Sequence, residues 1–219
     1  MKMNRISKKI RENCECESGC AKCNSKINRS IKYYKSDIPI DYWDKSFKNF
    51  NSNNILKNKI RPYISDIDGF YDDGKSILMV GTLGTGKTYM ASSMLKMAIT
   101  KGYSCKYINM VDIISNIISN NSINSGEFID SIINYDFLVI DEIDARWIFP
   151  SEKSEQIFGC YMEHILRSRF QNKMPTILCS NTLEISKIFS GDFSKSFKSL
   201  INHYVDTIVV AGKDYRSKK

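Results

Sequence analysis

No apolar run in the 219 residues of this chain approaches the roughly 20 that a membrane-spanning helix needs. The N-terminus is basic but has no apolar core behind it, so it does not read as a secretory signal. There is no internal repeat and no long low-complexity segment, which sets aside repeat architectures. Without an export signal, the seven cysteines point to thiols or metal ligands rather than disulfides, and to the cytosol as the expected compartment. The length suits one full α/β domain with a small appendage and is too short for two large domains. With 42% hydrophobic and 26% charged residues, the main body has enough apolar material for an ordinary core.

Charge is unevenly spread. Residues 1–36 carry ten Lys/Arg against three Glu, and residues 211–219 carry four against one Asp. The net charge of the whole chain is +8, so the stretch between these ends is close to neutral and slightly acidic. Basic ends favour a polyanion, either nucleic acid or an acidic protein face, with a solubilising tail as the plainer reading of the C-terminal stretch.

Three regions follow from the pattern. Residues 1–36 form a basic, cysteine-containing module, 37–75 a linker and helix, and 76–219 the core. In the linker, Ile55, Ile60, Ile64, Ile67 and Phe70 suit a helix. From Ser76 onward, short apolar runs at 77–80, 105–108, 137–140, 176–179 and 207–210 alternate with helical patterns at 88–100, 111–119, 126–134 and 152–170. Several runs are apolar at consecutive positions, the mark of strands buried on both faces of a parallel sheet. In 152–170, Ile157, Phe158, Tyr161, Met162, Ile165, Leu166 and Phe170 mostly recur at spacings of three and four. The alternation predicts right-handed crossovers and a doubly wound, five-stranded parallel sheet.

The sharpest motif is Gly81-Thr82-Leu83-Gly84-Thr85-Gly86-Lys87-Thr88, which follows an apolar run and opens a helical pattern. That is the context of a P-loop. Its glycines let consecutive N–H groups turn toward phosphate oxygens, and the helix N-terminus adds its positive dipole end. Lys87 can reach the β- and γ-phosphates of ATP, and Thr88 can ligate Mg2+.

The run Phe137-Leu138-Val139-Ile140 ends in Asp141 and Glu142. At the C-terminal edge of a parallel sheet, Asp141 would hold magnesium through its water, and Glu142 would orient and polarise the attacking water. Asp144 is a third acid nearby, read as supporting these two or as solvated. A further run, Thr176-Ile177-Leu178-Cys179, ends in Ser180 and Asn181. If its strand neighbours both the P-loop strand and the acidic strand, Asn181 can sense the γ-phosphate and water; the alternative is an Asn that caps the next helix.

Together these motifs resemble the AAA+ ATPases. Ile38-Pro39-Ile40-Asp41-Tyr42, Arg169-Phe170 with Pro175-Thr176-Ile177 and Ser180-Asn181, and Gly212-Lys213-Asp214-Tyr215-Arg216 resemble its DnaC/DnaI/IstB helicase-loader branch over about residues 10–216. The resemblance implies an ATPase fold without a C-terminal helical lid, ATP-dependent homo-oligomer assembly, single-stranded DNA contact, and a replicative helicase or transposase as partner. With lysine where this branch has arginine in the helix before the last strand, ATP hydrolysis is expected to be slow and to rise when the partner or single-stranded DNA is added. A P-loop kinase fits less well, since kinases usually need a mobile lid with several arginines.

One departure concerns the arginine that this branch places in the helix before the last strand, to complete a neighbour's ATP site. Here Phe193-Ser194-Lys195-Ser196-Phe197-Lys198-Ser199-Leu200 offers only Lys195 and Lys198. Lysine gives charge without a bidentate fork. A non-hydrolysing adapter therefore stays open beside the ATPase.

Cys14, Cys16, Cys20 and Cys23 lie close enough in sequence for a tetrahedral Zn2+ site; incidental thiols in a disordered tail are the alternative. Cys105, Cys160 and Cys179 are expected in the core. Tyr33, Tyr34 and Trp43 stand among basic residues, as single-stranded nucleic acid readers do, although Tyr42, Trp43 and Phe47 read better as staples of the linker onto the core.

Overall fold

A computed structural model describes residues 2–12, 14, 20–50, 54–119, 122–144, 152–184, 188, 191–212 and 214–215. Among them, five strands form one sheet: β1 Ser76–Val80, β2 Cys105–Asn109, β3 Phe137–Asp141, β4 Thr176–Ser180 and β5 Val205–Val209. Their spatial order is β2-β3-β4-β1-β5 and every pairing is parallel.

Helices cover both faces. Ile77 and Met79 pack with α3 (Asn54–Ser65), α4 (Ile67–Asp72) and α5 (Lys87–Lys101). Leu78 and Val80 pack on the other side with α6 (Met110–Ser119), α7 (Ser122–Ile133), α8 (Glu152–Gln171) and α9 (Gly191–Tyr204). Every residue of β1, β3 and β4 is therefore buried, which is why their sequences read as continuous rather than alternating apolar runs. β5 lies at an edge and is largely exposed. It runs two residues earlier than its apolar run suggests at the start, because its pairing is set by β1, from Ser76↔Val205 to Val80↔Val209.

The helical pattern of 55–70 breaks at Asp66, whose carboxylate accepts the Gly69 N–H at 2.9 Å and starts α4. The side chain of Ile55 lies outside the described residues. On α8, Phe158, Met162, Ile165, Leu166 and Phe170 are buried, but Ile157 is 42% exposed and Cys160 is exposed. Both expectations of burial are corrected: at 100° per residue, these two positions lie off the stripe that faces the sheet. Cys105 and Cys179 are buried as expected.

Arg169 is fully buried at the bottom of the sheet. Its guanidinium donates to the carbonyls of Ile133 and Tyr135 at 2.7 Å, to that of Pro175 at 2.8 Å, and to Thr176 Oγ1 at 2.9 Å. It thus closes the C-terminal carbonyls of α7 and fixes the turn into β4. Burial lowers its pKa to about 10.

Before the core come α1 (Lys2–Glu12) and α2 (Ala21–Lys35), which pack on each other. A segment with short turns at Ile40–Tyr42 and Phe47–Asn49 then lies along α5. Lys96 of α5 anchors it, donating to the carbonyls of Tyr42 and Lys45. Burial pushes this ammonium down to about 8, and the carbonyls offset part of its lost hydration. Trp43 Nε1 donates to Ile38 O at 2.8 Å, so the indole is committed to the linker.

Candidate nucleotide-binding site

β4 lies between β3 and β1. Its position brings three strand ends together: the P-loop after β1, Asp141 and Glu142 at the end of β3, and Ser180 and Asn181 at the end of β4. No local signal in the sequence fixes this order.

The loop conformation depends on its glycines. Gly84 and Gly86 have φ of 74° and 97°, in the left-handed region that glycine adopts without strain. A side chain at Gly81 would collide with the Val210 carbonyl, at Gly84 with the Asp214 carboxylate, and at Gly86 with the Phe50 ring. Thr85 Oγ1 donates to Thr82 O at 2.9 Å. The Lys87 ammonium is buried and donates to the carbonyls of Gly81 and Thr82 at 2.7 and 2.8 Å. α5 begins at this lysine, so its N-terminal N–H groups face the same loop.

At the foot of the loop, Thr88 Oγ1 donates to Asp141 Oδ2 at 2.8 Å. A hydroxyl and a carboxylate side by side are the hard oxygen donors that magnesium takes. Tyr107 OH, from β2, donates to the same Oδ2 at 2.6 Å. Burial and the Asp141 carboxylate hold this phenol protonated far above its usual range. The other carboxylate oxygen accepts the Glu142 N–H at 2.8 Å. Glu142 itself has φ of 56°, an uncommon conformation for a non-glycine residue, and it turns the chain sharply where the acidic strand ends.

Asp144 is buried rather than solvated. It accepts Ser180 Oγ at 2.5 Å, Asn181 N at 2.6 Å and Asn181 Nδ2 at 2.8 Å. The acidic segment thereby fixes both the backbone and the amide of Asn181. Residues 181–184 contain no helix, so Asn181 is not the cap of a helix that starts there.

Two residues here escaped the sequence reading. Tyr107 gives no signal, because a tyrosine in a strand is ordinary. Phe50 had none; its ring packs against Gly86 and lies 4.8 Å from the Tyr89 centroid and 5.5 Å from the Tyr215 centroid. The segment after β5 also reaches the loop, with Tyr215 N donating to Gly84 O at 2.9 Å. Lys213 and Arg216 lie outside the described residues.

Lys195 and Lys198 are both exposed on α9, while Phe197, Leu200 and Ile201 of that helix face the core. In the N-terminal region, Cys14, Cys20 and Cys23 come together, with their sulfurs all within 4.8 Å of one another and the first two 3.7 Å apart. Tetrahedral zinc with bonds of about 2.3 Å separates its sulfurs by about 3.8 Å, so these thiols suit that ion. Cys16 lies outside the described residues.

A glycine-rich loop between a buried parallel strand and a helix, with an acidic strand end beside it, defines a P-loop ATPase fold of the AAA+ type. The chain belongs to the family of IstB-like ATP binding proteins, whose model matches residues 39–219. It is 27% identical over 167 residues to the replicative helicase loader DnaC of Escherichia coli (strain K12), a match that covers 71% of this chain and 64% of that protein. The corresponding protein of Buchnera aphidicola subsp. Baizongia pistaciae is 30% identical over 110 residues, covering 48% of this chain and 42% of its own length. The chain thus spans less than two thirds of these curated relatives.

Among solved structures, a crystal structure of DnaI superposes with a TM-score of 0.64 at 18% identity, over 80% of this chain and 93% of that one. A crystal structure of the DnaC helicase loader gives 0.63 at 20% identity, over 79% and 100%. At these identities the likeness is one of fold. No helix among the described residues is long and apolar enough to cross a membrane.

Proposed function

We propose that this chain is an ATP-hydrolysing loader of a replicative helicase, working in the cytoplasm as an ATP-dependent homo-oligomer in contact with single-stranded DNA. The observation that carries the ATPase reading is the pairing of Thr88 with Asp141 at 2.8 Å beneath the P-loop. The named function of the DnaC relatives supports the loader reading, and the basic ends suit DNA.

In this reading the N–H groups from Gly81, Thr82, Gly84, Thr85 and Gly86 hold phosphate oxygens, and Lys87 leaves its loop carbonyls to meet the β- and γ-phosphates. Thr88 and Asp141 hold Mg2+, which neutralises charge on the phosphates when bound. Glu142 orients and polarises the attacking water. Asn181, fixed by Asp144, marks the position of the γ-phosphate and of that water. Residues 1–36 act as a partner-gripping module with zinc on Cys14, Cys16, Cys20 and Cys23, residues 37–75 as the linker, and 76–219 as the motor.

Fluorescent-nucleotide titration of wild type and Lys87→Ala, with circular dichroism alongside, tests the site. Binding should be lost in a folded variant; unchanged affinity would overturn the assignment. A second reading, a non-hydrolysing ATP-dependent adapter, is favoured by the lysines that α9 carries in place of arginine. An IstB-like transposition helper shares the same site and differs only in its partner, which co-purification with a helicase or a transposase separates.

A further inference from the structure

A groove of about 860 Å³ runs between the α1–α2 pair and the outer face of α5. It is a separate feature from the nucleotide site, since its α5 residues are Ser93, Lys96, Met97 and Thr100 and not the first turn at Lys87 and Thr88.

Its two walls are basic. Lys22, Lys26 and Arg29 border it, and their spacings of four and three place them in one stripe along α2. Lys45 and Lys48 of the linker border it as well. All five side chains are exposed, and Asp44 is the sole acid among the described residues that line the groove. Between these walls the surface is mostly apolar, with Ser46, Ser93 and Thr100 among its polar lining. Ile40 and Met97 remain 48% and 39% exposed there, beside Ile6 and Ile10 of α1. Two large apolar side chains left open in one groove mark a contact surface.

The chemistry of this surface separates two kinds of occupant. A nucleic acid strand needs flat rings free to stack on bases. Of the three aromatic side chains that line it among the described residues, Tyr33 is buried, Trp43 is bonded to Ile38 O and meets Tyr33 edge-on with centroids 6.2 Å apart, and Phe47 packs half-buried against the core. The most open apolar side chains, Ile40 and Met97, are aliphatic and offer bases no flat ring. An amphipathic helix fits both features, with aliphatic side chains on the floor and carboxylates reaching each wall.

We propose that this groove is a docking site for an acidic amphipathic helix of a partner protein. Because Lys96 ties the same linker segment to α5, the docked helix would rest on the helix that opens at the P-loop.

The test uses the full chain and a displayed library of helical 18-residue peptides. Selection should enrich sequences with apolar residues three and four apart, flanked by Asp or Glu on both sides. A labelled peptide of the enriched consensus should bind at least about tenfold more weakly when Lys22, Lys26 and Arg29 are all changed to Glu, since three attractive rim charges become repulsive ones. Met97→Glu should abolish binding with the walls intact. Enrichment without acidic bias, or binding indifferent to both variants, overturns the proposal. So does a groove that yields no peptide but loses affinity for a 15-residue oligodeoxythymidine on reversal of the α2 charges, which would make it a nucleic-acid site. A wild-type dimer that Met97→Glu converts to a monomer in sedimentation would likewise overturn it, giving the groove to a second copy.

Discussion

Tyr107 and Thr88 approach one oxygen of Asp141 from different elements, the phenol from β2 at 2.6 Å and the hydroxyl from α5 at 2.8 Å. The tyrosine fixes the carboxylate rotamer, so Asp141, in its proposed role as a magnesium ligand, would lose little freedom on binding the ion. In Tyr107→Phe the carboxylate keeps Thr88 and the Glu142 N–H. The variant should fold with a loss of about 1 kcal/mol. The magnesium concentration for half-maximal ATP turnover should rise several-fold with nucleotide affinity little changed. A Mg2+ titration identical to wild type would reduce Tyr107 to packing alone.

Glu142→Gln removes the carboxylate proposed to polarise the attacking water and leaves a side chain of the same shape. ATP binding should persist while hydrolysis slows by about 10²–10⁴-fold, the usual range for loss of a general base. Single-turnover measurement with radiolabelled ATP checks both. Should Asp141→Asn alter magnesium dependence less than Glu142→Gln does, the two acids have been given each other's work.

Arg169→Met tests the buried arginine that ties α7 to the turn before β4. It leaves the carbonyls of Ile133, Tyr135 and Pro175 without their donor. A stability loss of about 3–5 kcal/mol is expected, as for breaking other buried charged networks. Any folded fraction should bind ATP normally, which denaturant unfolding and nucleotide titration together would show. A stable variant defective only in turnover would instead place Arg169 in the reaction.

Lys198→Arg tests the exposed face of α9. Lysine supplies charge without the planar fork that stabilises a transferring phosphoryl group. If this face meets a neighbour's nucleotide, the substitution should speed hydrolysis at high protein concentration and leave it unchanged at dilution. Wild-type turnover should rise when single-stranded DNA is added, and that effect should weaken with salt. Fast turnover independent of protein concentration would remove the case for completion by a second subunit.

One zinc per chain is expected by elemental analysis of protein purified without chelator. Removing the ion should unfold residues 1–36 and leave the sheet intact, because α1 and α2 share little of the core. Metal-free protein with an unchanged far-ultraviolet spectrum would show that the thiols need no ion.

The sequence by itself determined the local order on which the proposed chemistry depends. The glycine spacing of the P-loop, the strand before it and the helix after it are adjacent in the chain, so Lys87 and Thr88 could be proposed at once as phosphate and magnesium contacts. The consecutive apolar residues of β1, β3 and β4 announced burial on both faces, because a sheet covered on one side would have alternated. Only the tertiary structure decided what those pieces meet. The order β2-β3-β4-β1-β5 is set by packing between segments far apart in sequence. That order alone brings Asn181 between the P-loop and the acidic strand, and Tyr107 onto Asp141. The roles of Asp144 and Arg169 followed the same rule. A buried charge is defined by the donors and acceptors around it, and these come from strand ends and helix ends that no local pattern brings together.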